Sequence, residues 1–161
     1  MSTTKDLHNL GQSLWLDNIT REILDDGTLR RYIEKFSITG LTSNPTIFDE
    51  AIGKTAAYDA GIRQKAAAGM SGESLFIELA LEDLRRAADL FRPEFDRTKG
   101  VDGWVSMEVS PLLASETQGT IKAALRSGTP EAVATEPDAN EASRKSPELS
   151  KAFLTSLPVR F

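Results

Sequence analysis

The stretch Leu41-Thr42-Ser43-Asn44-Pro45-Thr46, following closely on the apolar Ile38, decides the fold. It reads as a buried strand whose tip turns polar and then starts a helix. Asn44 is a good N-cap and Pro45 suits the first helical position, so a helix is expected from Thr46 to Ile52. Two other segments share this design. Leu14-Trp15-Leu16 runs into Asp17-Asn18, and Trp104-Val105-Ser106-Met107 runs into Glu108-Val109-Ser110-Pro111. Three strand ends therefore offer a carboxylate, an amide and a second carboxylate.

Working outward, strands and helices alternate. A short leading helix is expected over Thr3 to Gln12, then a first strand from Leu14 to Asp17. Apolar residues at helical spacing from Ile19 to Phe36 are broken by the Asp26-Gly27 turn signal. The second strand is Ile38 to Thr42. A helix from Tyr58 to Ala68 ends at Gly69, and Ser71 is expected to cap the longest helix, Glu73 to about Phe95. Leu75, Phe76, Leu79, Ala80, Leu84, Ala87, Ala88 and Phe91 form its apolar face. Its opposite face, Glu78, Glu82, Asp83, Arg85, Arg86 and Asp89, reads as solvated surface. Gly100 to Gly103 lead into the third strand, and Glu116 to Leu125 into another helix. Trp15, Trp104 and Met107 read as core.

This βαβα order predicts an α/β fold with parallel strands and crossover helices, an incomplete TIM-type (β/α) barrel of about three strands. The polar strand ends should then converge on one edge, where such folds place their sites. Residues 1–125 form this partial barrel. Residues 126–161 read as an irregular tail, because four of the seven prolines fall there among Ala, Ser, Thr and Glu. Only Leu149 to Leu157 suggests a short helix.

Composition narrows the function. A chain of 161 residues with 40% hydrophobic and 27% charged content can form one globular core. A net charge of -5 with scattered Lys and Arg argues against nucleic acid or an anionic membrane as partner. The absence of cysteine removes disulfides, thiol catalysis and Cys-based zinc sites, and fits a cytoplasmic location. The single His8 reads as a helix surface residue, no metal site is expected, and no apolar run approaches transmembrane length.

The segment from Leu14 to Glu50, together with Gly103 to Thr117 (GWVSMEVSPLLASET), closely resembles the N-terminal part of transaldolases. The resemblance spans about residues 5–125. It implies a (β/α)8 barrel enzyme that moves a dihydroxyacetone unit between sugar phosphates in the pentose phosphate pathway, through a lysine Schiff base and without cofactor. It puts Asp17 on the family's proton-shuttling aspartate, and Asn44 on the asparagine that holds substrate hydroxyls, with Thr42 beside it. Glu108 falls on the glutamate that works with a water in forming the imine. Aldol cleavage accounts for the set: a base for the hydroxyl proton, a second acid/base for carbinolamine dehydration, and a neutral donor for the sugar. Taken singly, Asp17 and Asn44 also read as helix caps, and Glu108 as a solvated strand end.

The family's nucleophile lies in a fourth-strand run of the type Leu-Phe-Ile-Lys-Ile-Pro, which has no counterpart here. Lys122 falls in a helix, and Lys145 and Lys151 fall in the polar tail, so no Schiff-base lysine is identified. A reactive lysine needs a desolvated pocket that these contexts do not supply. The chain alone is therefore expected to be inactive and to expose a sheet edge prone to self-association. Alternative readings are a non-catalytic sugar-phosphate-binding or interaction module, and a truncated or frame-shifted product without activity.

Overall fold

The computed structural model describes residues 3–108, 113, 115–128 and 157–159. The elements in order are α1 (Thr3–Asn9), β1 (Leu14–Asp17), α2 (Arg21–Asp25), α3 (Thr28–Phe36), β2 (Ile38–Ser43), α4 (Pro45–Lys54), a 3-10 turn (Ala56–Tyr58), α5 (Asp59–Ala67), α6 (Gly72–Thr98), β3 (Trp104–Met107), α7 (Thr117–Gly128) and β4 (Leu157–Val159). The strands lie side by side in the order β1-β2-β3-β4. The first three are parallel, so this is an α/β open sheet consistent with part of a TIM-type barrel.

One irregularity sets the alignment of the sheet. Leu14 stands opposite Ile38, but Trp15 stands opposite Gly40, so Thr39 is an extra residue in β2. Its Oγ1 donates to the Leu14 carbonyl at 3.4 Å, and its own carbonyl accepts from Gly103 N at 2.7 Å. Bulges of this kind shift every later residue by one place, and in a pleated strand one place is the difference between two faces. After the bulge, Leu16, Leu41 and Val105 share a row, and Asp17, Thr42 and Ser106 share the next.

The core lies on the face of the first row. Leu41, Val105 and Met107 pack there with Leu29, Phe48, Leu84, Ala87 and Phe91. The apolar face expected of the longest helix is the one that α6 buries: Leu79, Ala80, Leu84, Ala87 and Phe91 are all inaccessible. The connection into β3 is tight. Gly103 has φ +85, and a side chain there would run into the Phe95 backbone at 2.4 Å, so glycine is required on two counts. Trp104 stacks edge to face on Phe95 at 5.1 Å and donates its indole N–H to the Gly100 carbonyl.

Four expectations need correction. Ser71 occupies the N-cap of α6 but makes no side-chain cap bond; instead the Ser74 hydroxyl donates to the Ser71 carbonyl. Trp15 is not core: it is 42% exposed and lies across Gly40, whose missing side chain leaves room for the ring. The charged face of α6 is not uniformly solvated, since Asp83 is fully buried. Finally, Leu157 belongs to a strand: β4 pairs antiparallel with β3, matching Val159, Pro158 and Leu157 to Val105, Ser106 and Met107. A strand containing proline suits a sheet edge, where no N–H is needed on the outer side. Pro130, Pro137 and Pro147 and the rest of the expected helix from Leu149 lie outside the described residues.

Candidate functional site

Because β1, β2 and β3 are parallel neighbours, their carboxyl ends fall on one edge of the sheet, with adjacent strands about 5 Å apart. Asp17 ends β1 and is exposed; Thr42 stands directly opposite it and is half-buried. Asn44 follows β2 by one residue and Glu108 follows β3 by one residue, both half-buried. The Glu108 amide donates to the Ser43 carbonyl at 3.3 Å, which extends the β2–β3 ladder to the foot of both side chains. The four residues singled out from sequence are therefore brought to one edge.

The local reasons differ. Asn44 does cap a helix: its Oδ1 accepts from Ile47 N at 3.1 Å, leaving the amide N–H groups as donors for another partner. Asp17 does not cap. Thr20 is the N-cap of α2, its hydroxyl accepting from Ile23 N at 3.3 Å, so the Asp17 carboxylate is not committed to a helix end. Sequence reading missed Ser106, which shares a row with Asp17 and Thr42. Val105 and Met107 both join the core, so simple alternation turns Ser106 to the opposite face. Its Oγ is buried and has no hydrogen-bond partner among the described residues.

A second polar group was also missed. The Asp83 carboxylate accepts from Arg21 Nε at 2.9 Å and from the Tyr58 hydroxyl at 2.8 Å, and Tyr58 Oη in turn accepts from Arg21 N at 2.9 Å. The Arg21 guanidinium lies over the Tyr58 ring at 4.5 Å and also reaches Glu82 at 3.0 Å. Lys65 closes on Glu82 at 2.7 Å. Burial pushes the Asp83 carboxyl above its ordinary 3.8, while the Tyr58 hydroxyl and Arg21 pull the other way. Burial, followed by the Asp83 charge, pushes the Tyr58 phenol up. For Glu82 burial also opposes ionisation, but hydrogen bonds from Lys65 and Arg21 prevail and hold it below 4.5. The signal in the sequence was Asp83 beside Leu84 and Ala87, close to the buried stripe, with an arginine on a preceding helix available to pair with it.

Lys122 is exposed on α7, and Lys145 and Lys151 lie outside the described residues. Among the described residues no three His, Cys, Asp or Glu side chains cluster as metal ligands, and no helix is long and apolar enough to cross a membrane.

Comparison with known proteins places this edge in context. Residues 14–127 match the family model described as transaldolase/fructose-6-phosphate aldolase. The transaldolase of Trichodesmium erythraeum is 44% identical over 121 residues, which are 75% of this chain and 32% of that protein. The Arthrobacter transaldolase is 47% identical over 118 residues, 73% of this chain and 32% of its own. The Thiobacillus denitrificans transaldolase is 42% identical over 126 residues, 78% and 35%. The chain thus spans about a third of the length of the curated relatives it matches. With the matched segment beginning at β1 and running through all three polar strand ends into α7, the chain belongs to the transaldolase/fructose-6-phosphate aldolase family.

Proposed function

We propose that this chain carries one part of a transaldolase site, the part that handles protons and sugar hydroxyls. The reaction is transfer of a dihydroxyacetone unit from a ketose phosphate to an aldose phosphate, by way of an imine to a lysine. In this reading Asp17 takes and returns the hydroxyl proton at the carbon–carbon bond that breaks. Glu108 serves carbinolamine dehydration through a water, and Asn44 and Thr42 orient the sugar hydroxyls. The observation that carries the reading is the placement of Asp17, Thr42, Asn44 and Glu108 at the carboxyl ends of three adjacent parallel strands. The commitment of Asn44 Oδ1 to its helix supports its role, since it fixes the amide and leaves only donors free.

The same reading makes the chain inactive by itself. The apolar run that would hold the imine-forming lysine is missing, and Lys122 is exposed on α7, not at a strand end. Without an imine the three-carbon carbanion has no electron sink. Borohydride treatment in the presence of fructose 6-phosphate is expected to leave the protein's mass unchanged. A reduced adduct mapped to Lys122, Lys145 or Lys151 would overturn the assignment of the missing nucleophile.

A further inference from the structure

The β1–α2 connection, 18–20, separates Asp17 from the first residue of α2. At a helix start the first backbone N–H groups lack partners within the helix and must find them elsewhere. Here Thr20 serves Ile23 N, and the partner of Arg21 N is the Tyr58 hydroxyl, 37 residues away at the end of the 3-10 turn. That hydroxyl is itself held, because it donates to Asp83 on α6, and Asp83 also receives the Arg21 side chain. Both the backbone and the side chain of Arg21 are thereby tied, directly or through one hydroxyl, to a single carboxylate. Tyr58 and Asp83 are fully buried, and so is Ile19 in the middle of the connection. The Asp17 carboxylate, by contrast, is exposed and has no cap to make. Asp17 is the last residue of β1, and the backbone that leaves it is this connection.

We propose that Tyr58 is a positioning residue, whose hydroxyl fixes the start of α2 and with it the β1–α2 connection that aims Asp17 along the strand-end edge. The functional meaning of that aim rests on the transaldolase reading, but the positioning itself is a property of the fold and is measured without substrate. A tyrosine serving only as core would contribute through its ring, which phenylalanine retains. A positioning tyrosine contributes through its oxygen.

The test is amide hydrogen exchange in Tyr58→Phe, compared with Thr98→Val, which loses a hydroxyl that accepts from Asp102 N at 3.0 Å at the far end of α6. In Tyr58→Phe, exchange at residues 18–21 is expected to rise about tenfold beyond the change averaged over β2 and α6. In Thr98→Val residues 18–21 should follow the average. Uniform acceleration in Tyr58→Phe, or no change at residues 18–21, would overturn the proposal. Should Tyr58→Phe not fold, Asp83→Asn keeps the ring and hydroxyl but weakens their anchor, and the same local excess is required of it. Binding of fructose 6-phosphate, followed by chemical shifts at Asp17 and Thr42, is a separate measurement. Its absence would count against the transaldolase reading while leaving the exchange result intact.

Discussion

The two faces of the sheet are built from the same three strands and differ completely in what they contact. Leu41, Val105 and Met107 look toward the helices and are sealed beneath α6 and its neighbours. Trp15, Asp17 and Thr42 belong to the other face, where Trp15 is half exposed and Asp17 open to solvent. The contrast separates two jobs. The helix face holds the fold through burial of apolar area, at about 25 cal/mol per Å² removed from water. The other face carries Asp17, whose carboxylate is exposed, and the buried Ser106.

The comparison is broken most severely by attacking the polar anchor beneath the helices. Asp83→Ala leaves the Arg21 charge without its buried partner and is expected to cost about 3–5 kcal/mol, read as a lowered denaturation midpoint. A loss below about 1 kcal/mol would mean that Asp83 is hydrated in solution. The same cluster makes stability depend on pH in two opposed ways. The raised Asp83 value means that the folded state holds that proton more tightly, so stability falls as pH rises from 3.8 toward the folded value. The lowered Glu82 value acts in reverse: its contribution is present above 4.5 and disappears as pH falls through the folded value. Glu82→Gln should therefore steepen the loss of stability with rising pH, a slope visible in urea midpoints collected from roughly pH 3 to 6. A slope unchanged from the parent chain would show that Glu82 titrates without regard to folding.

Smaller effects are expected toward the strand ends. Asn44→Ala removes the cap of α4 and should cost about 1 kcal/mol, whereas Asn44→Asp, which also caps, should cost much less. Equal losses in the two variants would point to a different role for the amide. Asp17→Asn is expected to change stability by less than about 0.5 kcal/mol, because the carboxylate is exposed and caps nothing. A loss comparable to that of Asp83→Ala would erase the distinction between the faces.

Much of this could be read from residue patterns. The apolar cores of β1, β2 and β3, the polar residues at their tips and the Asn44-Pro45 helix start are local signals, carried by neighbours in the chain. The burial of Asp83 could not be read so easily. Its position between apolar residues of α6 is compatible with either a solvated or a buried edge, and the choice depends on Arg21 and Tyr58, which are 62 and 25 residues away. The exposure of Trp15 was hidden for the opposite reason. A large aromatic in a strand usually lies in a core, but Gly40 gives its ring a seat on the face opposite the apolar core.

By itself the sequence determined the alternation of strands and helices from α1 to α7, the parallel plan of β1 to β3 and the chemical character of their ends. These follow from the spacing of apolar residues and from caps, whose physics is confined to a few consecutive residues. Only the tertiary structure decided which residues stand side by side. Were Thr39 paired regularly instead of bulged, the ladder that begins at Leu14 and Ile38 would set Leu41, not Thr42, beside Asp17. Parallel strands are aligned by contacts between distant segments, and a shift of one place exchanges their faces, so no local pattern could fix which residue of β2 stands opposite Asp17.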